Sequence, residues 1–290
     1  MEGYYWRMWD AASGRALVAL CGVCRARDGV WAVVALAGHP GGFVRWANAA
    51  RAAADPDGLG AAAWDEEGRA LLRGSGRRVA VDLGADARLE ATLEGRAEWP
   101  RRDVGALGPA QAVPGLPQYW HPHLLGAHVR GEARVGAETV ELSGFEAYAE
   151  KNWGPRFPGD WWWGQAGFDT RAQAAFAGGR VAGPLAATAA VVRTGRDVVA
   201  FAPPLALVSA AAGAGEWRVR ARTARHGLTL EGEAAGAPQL LPVPVVAERR
   251  AVLRSEHHLA GRLRCELRRG SRVLLREESR LAGLERGVPR

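Results

Sequence analysis

Isoleucine is missing from the 290 residues, asparagine occurs only at Asn48 and Asn152, and Lys151 is the single lysine among 38 basic side chains. A very GC-rich genome imposes such a profile, replacing lysine by arginine and isoleucine by valine or leucine with little effect on a fold. Cysteine is scarce too: Cys21, Cys24 and Cys265 cannot all pair, which excludes a disulfide framework. Cys21 and Cys24 have redox or zinc spacing, but no second Cys/His pair matches them. Positions three apart on a strand also face opposite ways, so both read as small core residues. Long apolar runs are absent. The longest low-polarity stretch, Val198 to Gly213, is broken by Pro203 and Pro204 and falls short of the roughly 18–20 residues of a membrane span. Glu2 and Arg7 interrupt the first residues, so no secretory leader is read there and the expected location is cytoplasmic. No G-x-G-x-x-G, phosphate loop or G-x-S-x-G nucleophile elbow occurs, which removes the commonest dinucleotide, nucleotide and serine-hydrolase chemistries.

The chain is 48% hydrophobic and 24% charged, the balance of a soluble globular protein. Its net charge of +7 comes from arginines spread along the whole length. Arg218, Arg220 and Arg222 alternate with Trp217, Val219 and Ala221, the pattern of a strand with one wet face. Nucleic-acid binding needs clustered basic residues interleaved with exposed aromatics, so no nucleic-acid partner is expected. Weak attraction to an anionic membrane surface is expected instead, at roughly 1 kcal/mol per nearby charge.

Helical periodicity is scarce. Short alternating or continuous apolar segments recur from Tyr4 to Trp9 through to Arg272 to Glu278, and turn residues separate them. Arg134-Val135-Gly136-Ala137, Arg193-Thr194-Gly195-Arg196 and Arg269-Gly270-Ser271-Arg272 suit tight hairpins. Many strands at regular spacing predict an all-β chain of antiparallel barrels or sandwiches. The alanine-rich stretch Trp46 to Trp64 predicts a short helix ending at the turn Asp55-Pro56-Asp57-Gly58. Arg101 to Pro117, rich in Gly and Pro, predicts a long loop. A seam near residue 143 then separates two β lobes, 1–143 and 144–290.

Six of the 15 Phe, Tyr, Met, Asn and Lys residues fall between Phe145 and Phe168, with Trp153, Trp161, Trp162 and Trp163 among them. Drift would erase such residues except where chemistry resists, and arginine cannot supply a compact ammonium with a tunable pKa. Strand parity sharpens the window. Glu2, Tyr4 and Trp6 share a face, Glu150 shares one with Tyr148, and Lys151 shares one with Phe145. Trp161, Trp163 and Gln165 share another, so one face of that strand serves the core and the other is free to line a cavity. A second aromatic concentration is Gln118-Tyr119-Trp120-His121-Pro122-His123. His121 and His123 share parity, but no third metal ligand stands out. His257-His258 sits in a charged strand region and reads as a solvated face.

The segment Phe145-Glu146-Ala147-Tyr148-Ala149-Glu150-Lys151-Asn152-Trp153-Gly154-Pro155-Arg156-Phe157-Pro158-Gly159-Asp160-Trp161-Trp162-Trp163-Gly164-Gln165 resembles the central motif of the tocopherol cyclase family. Glu2-Gly3-Tyr4-Tyr5-Trp6-Arg7 looks like the family's opening strand, and Gln118 to His123 followed by Gly126 is similar to its middle segment. One departure is that Met1 stands directly before the opening strand, where members usually carry a further segment. The resemblance implies two lipocalin-like lobes packed around a hydrophobic cavity, and closure of a prenylated hydroquinone onto its own side chain to give a chromanol. Such a reaction needs an acid to protonate an alkene, a dry and aromatic site for a tertiary cation, and a phenol oxygen held nearby, with no metal or nucleotide cofactor. Glu150, Glu2 and Asp160 are the candidate acids. Trp153, Trp161 and Trp163 are candidates to face the cation. Lys151, Asn152, Tyr119 and His121 are candidates to hold the hydroquinone oxygens or help remove the phenolic proton, with Lys151 counted among the catalytic residues, and Gln165, Tyr148, Tyr4 and Trp6 are candidates to line the substrate site. Two other readings stay open: a hydratase or other isomerase of an isoprenoid alkene, in which water quenches the cation, and a non-catalytic isoprenoid carrier.

Overall fold

The computed structural model describes residues 1–27, 29–100, 105–182, 185–213 and 215–287. These are strands almost throughout, in two antiparallel sheets. The first sheet contains β1 (Glu2–Asp10), β2 (Arg15–Ala26), β3 (Gly29–His39), β4 (Phe43–Ala49), β5 (Arg51–Ala54), β6 (Ala61–Trp64), β7 (Ala70–Gly74), β8 (Arg78–Asp82), β9 (Ala87–Glu94), β10 (Tyr119–Val135), β11 (Glu138–Glu141) and β12 (Glu146–Trp153). Their order is β4-β3-β2-β1-β12-β10-β9-β8-β7-β6-β5, with β11 on β10. The strand that follows the expected seam, β12, thus inserts between β1 and β10. The far end of the path returns so that β5 and β6 lie against β3, and the sheet rolls around one core.

The second sheet contains β13 (Trp161–Gly167), β14 (Gln173–Ala182), β15 (Leu185–Thr194), β16 (Asp197–Phe201), β17 (Leu207–Gly213), β18 (Glu216–Arg222), β19 (His226–Glu233), β20 (Gln239–Val245), β21 (Arg250–Arg269) and β22 (Arg272–Gly287). Its path is β16-β15-β14-β13-β22-β21-β19-β18-β17, and β15 approaches β17. Contacts divide the chain into two compact units. The first takes Met1–Glu98, Pro122–Arg156 and Gln239–Arg254; the second takes Trp99–His121, Phe157–Pro238 and Ser255–Arg290.

The three expected hairpins form between β10 and β11, β15 and β16, and β21 and β22, with loops Gly136-Ala137, Gly195-Arg196 and Gly270-Ser271, the first two turns lying one residue further on than the expected segments. Gly136, Gly195 and Gly270 take φ of 64°, 59° and 59°, which two-residue turns require. The helix expected over Trp46 to Trp64 is not there: β4, β5 and β6 occupy it. Alanine favours helix locally, but Ala61 and Ala63 alternate with less buried neighbours and fill the first core. Packing on a sheet overrides a propensity of under about 1 kcal/mol per residue. The turn at Asp55 does form, closed by Asp55 N–H on the Gly60 carbonyl at 2.7 Å. Of the loop expected over 101–117, residues 101–104 lie outside the described residues. The remainder is irregular except for a 3₁₀ turn at Gly108–Ala112. Cys21, Cys24 and Cys265 are free and buried, as expected.

Candidate functional site

In the first unit, β1 and β12 pair with Tyr4 opposite Lys151 and Glu2 opposite Trp153. Period-2 alternation therefore puts Glu2, Tyr4, Trp6, Lys151 and Trp153 on one face, the face Tyr4, Trp6 and Met8 share with the core. The Lys151 ammonium is saturated there. Its Nζ lies 3.0 Å from Glu2 Oε2, 2.7 Å from the Asp55 carbonyl and 2.9 Å from the Pro56 carbonyl, one acceptor per proton. The rings of Tyr4 and Trp153 flank it at 5.2 and 5.8 Å. Glu2 also accepts from Arg25 at 2.8 Å, and the Tyr4 hydroxyl stands 2.9 Å from Glu2 and 3.0 Å from the Asp55 carbonyl. Burial alone would raise the Glu2 carboxyl, but hydrogen bonds from Arg25, Lys151 and Tyr4 outweigh it and hold the group below its usual range. Burial, with Glu2 alongside, raises the Tyr4 phenol. This set is a charged clamp on the Asp55 turn. It leaves Glu2 ionised, unlike the neutral proton donor expected of it. Trp6 is fully buried, donates Nε1 to the Ser75 carbonyl at 3.0 Å and packs on Gly74, where a Cβ would come within 2.3 Å of the indole.

The opposite face of the same strands carries Tyr5, Arg7, Trp9, Tyr148, Glu150 and Asn152. Glu150 is 4% exposed and accepts a 2.6 Å hydrogen bond from the Tyr148 hydroxyl. Arg7 is fully buried, its guanidinium 5.2 Å from the Trp9 ring, and burial lowers it to about 10.

In the second unit, the tryptophan triplet divides as parity predicts. Trp162 joins the core and donates Nε1 to Thr188 Oγ1 at 3.0 Å. Trp161, Trp163 and Gln165 take the other face, and all three are buried. Glu285 pairs opposite Trp163 on β22, and His257 pairs opposite Glu285 on β21. The Glu285 carboxylate accepts from Trp161 Nε1 at 2.7 Å and lies 3.3 Å from His257 Nδ1. The fully buried His257 ring stands 5.6 Å from the Trp163 ring. Burial would raise Glu285, but hydrogen bonding and charge from His257, then Trp161 and Ser255, bring it below the usual carboxylate range. Gln165 Nε2 donates to Gln173 Oε1 at 3.3 Å on the same face. Between these groups the strands carry small residues, Ala175 and Ala177 opposite Gln165 and Trp163, and Gly283 on β22.

This arrangement corrects the solvated face expected for His257-His258: His257 is 0% and His258 8% exposed. Sequence reasoning also missed Glu285. Asp160 is less enclosed than a buried acid, with its carboxylate 3.4 Å from Arg180. The Tyr119 hydroxyl donates to the Val113 carbonyl and accepts from Leu116 N–H, pinning the loop before β10, and His121 meets Trp99 edge-on at 5.1 Å. His123, expected beside the aromatics, is driven down to about 4 by burial, with the Lys151 charge second. Among the described residues no group of three or more His, Cys, Asp or Glu is placed to hold a metal ion. No helix among them is long and apolar enough to cross a membrane.

Two large antiparallel sheets, each with a packed core and a second buried face of aromatic and polar side chains, define an all-β protein of the lipocalin-like kind. The family model for tocopherol cyclase-like proteins matches residues 82–288, and the chain belongs to that family. No curated protein matches it. Solved structures share the fold at low identity. CghA is 12% identical with a TM-score of 0.64, covering 99% of this chain and 88% of its own. Kievitone hydratase from Nectria haematococca is 9% identical with a TM-score of 0.57 and the same two coverages. An AttH candidate from Nitrosomonas europaea is 14% identical with a TM-score of 0.54, covering 99% of this chain and 92% of its own.

Proposed function

We propose that the protein is an acid–base enzyme that closes a chromanol ring on a prenylated hydroquinone. The observation that carries this reading is the Glu285–His257 pair set between Trp161 and Trp163. In this reading the imidazole carries the transferable proton, beside the Glu285 carboxylate. His257 delivers that proton to the alkene carbon, and the C–H bond forms as the double bond is consumed. The tertiary cation left behind is stabilised by the Glu285 carboxylate and by the indole faces, each worth about 0.5–2 kcal/mol when desolvated. The phenol oxygen then attacks, the C–O bond closes, and the O–H proton returns to His257. Nothing is gained or lost, so the step asks for no cofactor. The Gln165–Gln173 amide pair supplies polar contacts suited to the head-group oxygens. That same polar lining favours a second reading, hydration, in which a water held there captures the cation and gives up the proton instead.

Purified protein incubated with a phytylated dimethylbenzoquinol is expected to yield a chromanol of unchanged mass. A product heavier by one water selects hydration, and tight binding with no product selects a carrier. His257→Gln and Glu285→Gln are expected to lower kcat by about 10²–10⁴-fold, the usual worth of positioned acid–base catalysis. Glu150→Gln, altering the buried carboxyl that hydrogen-bonds Tyr148, is expected to lower it less than about tenfold on the same scale. The reverse order would move the acid to Glu150 and its Tyr148 partner.

A further inference from the structure

The second sheet ends at β17, where the outward face sets a strongly exposed leucine beside arginines of the neighbouring strand. Leu207, Ser209 and Ala211 face out from β17, uncharged, and pair with Arg222, Arg220 and Arg218 of β18. Leu207 is 81% exposed, and Leu205, two residues upstream, is 69% exposed. Several exposed arginines of this sheet meet acids: Arg264 on Glu278 at 2.7 Å, Arg276 on Glu266 at 2.6 Å and Arg218 on Glu231 at 3.5 Å. Arg220 and Arg222 do not. The residues flanking Arg220 across both ladders are Ser209 and Thr229, and those flanking Arg222 are Leu207 and Gly227. Among the described residues neither guanidinium has an acidic partner.

We propose that the β17–β18 edge docks on an anionic lipid surface, with Leu205 and Leu207 entering the headgroup boundary and Arg220 and Arg222 meeting lipid phosphates. Two leucines held in water lose apolar exposure on such a surface, and two unneutralised guanidiniums gain the bidentate acceptor they lack. A soluble acidic partner would satisfy the arginines and leave the leucines wet. A bilayer satisfies both. The placement stands apart from the reaction proposed above, because it needs no turnover, although a lipid-dissolved substrate would be met where it resides.

Co-sedimentation of the full chain with phosphatidylcholine vesicles, with and without phosphatidylglycerol, tests it. Binding is expected only with phosphatidylglycerol and is expected to weaken as salt rises. Arg220→Ser with Arg222→Ser should weaken it about thirtyfold, from the usual worth of two basic residues near such a surface. Leu205→Ser with Leu207→Ser should also weaken it, by about tenfold or more. All four side chains are exposed, so unchanged melting temperatures confirm that the variants fold. Failure of wild-type protein to bind phosphatidylglycerol vesicles, or equal binding by both double variants, overturns the proposal. So does self-association of the wild type that Leu207→Ser abolishes, which would make this edge an interface between copies of the chain.

Discussion

An ammonium with three oxygen acceptors and two aromatic rings around it is a demanding place for an arginine. Lys151 places one proton on each of Glu2, Asp55 and Pro56 within 3.0 Å. A planar guanidinium is larger, directs its protons in a fixed fork and cannot converge them on three oxygens set around a point. Lys151→Arg is therefore expected to cost about 2 kcal/mol of stability, as overpacking and a lost carbonyl bond would together. Denaturant unfolding checks this, and an unchanged midpoint would remove the claim. The single lysine does sit where three oxygens converge on a point, a geometry that suits an ammonium. Its rarity did not say to what end: the geometry holds the Asp55 turn against β1 and β12, and the three acceptors leave no ammonium proton for a substrate oxygen.

At the scale of strands, the most sensitive point of the proposed site is a glycine. A Cβ built on Gly287 at the end of β22 would lie 2.0 Å from Trp161 Cε3, so Gly287→Ala must displace that indole. The Trp161 Nε1 bond to Glu285 is then lost, along with the carboxylate's best-placed neutral donor. The expected outcome is a red-shifted tryptophan emission with kcat reduced at least tenfold, on the order of one hydrogen bond to a charged group. Retained emission and kcat would show that the strand end gives way instead. Much at this scale was legible beforehand. The Gly-centred hairpins fixed three turns, and alternation divided Trp161 and Trp163 from Trp162. The Glu285–His257 pair was not legible, for a specific reason. Counting back from the Gly270-Ser271 turn puts Leu284 opposite His257, whereas bulges along β21 and β22 shift the register by one and bring in Glu285. A one-residue slip exchanges the two faces of a strand, and nothing in local pattern announces a bulge.

Over the whole molecule, composition decides how stability responds to pH. On the acid side His123 is held down to about 4, while the unfolded chain takes up that proton near pH 6.5, so stability falls as pH drops through this interval. Glu2 and Glu285, both depressed, add stability above the unfolded carboxylate range that is lost as pH falls through their folded values. The alkaline side is more diagnostic. With one lysine among 38 basic residues, the chain keeps nearly all its positive charge across the range where ammonium groups discharge near 10.4. What changes there is sulfur. Burial pushes Cys21 up to about 12 and Cys24 to about 11, and it raises Cys265 as well. Unfolded thiols ionise from about 8.5 while these three stay protonated, so folding stability must fall as pH rises. Each thiol contributes a limiting slope of about 1.4 kcal/mol per pH unit, roughly 4 for the three together. The raised Tyr4 adds to this above pH 10. Arg7, lowered to about 10, opposes it, because there the unfolded chain holds the extra proton. Between about pH 8.5 and 10 the cysteines therefore act nearly alone. Unfolding free energies measured across that interval should decline in the wild type and flatten in a Cys21→Ala, Cys24→Ala, Cys265→Ala variant, whatever its stability at pH 7. A variant that keeps the wild-type slope would mean the alkaline limb belongs to other groups.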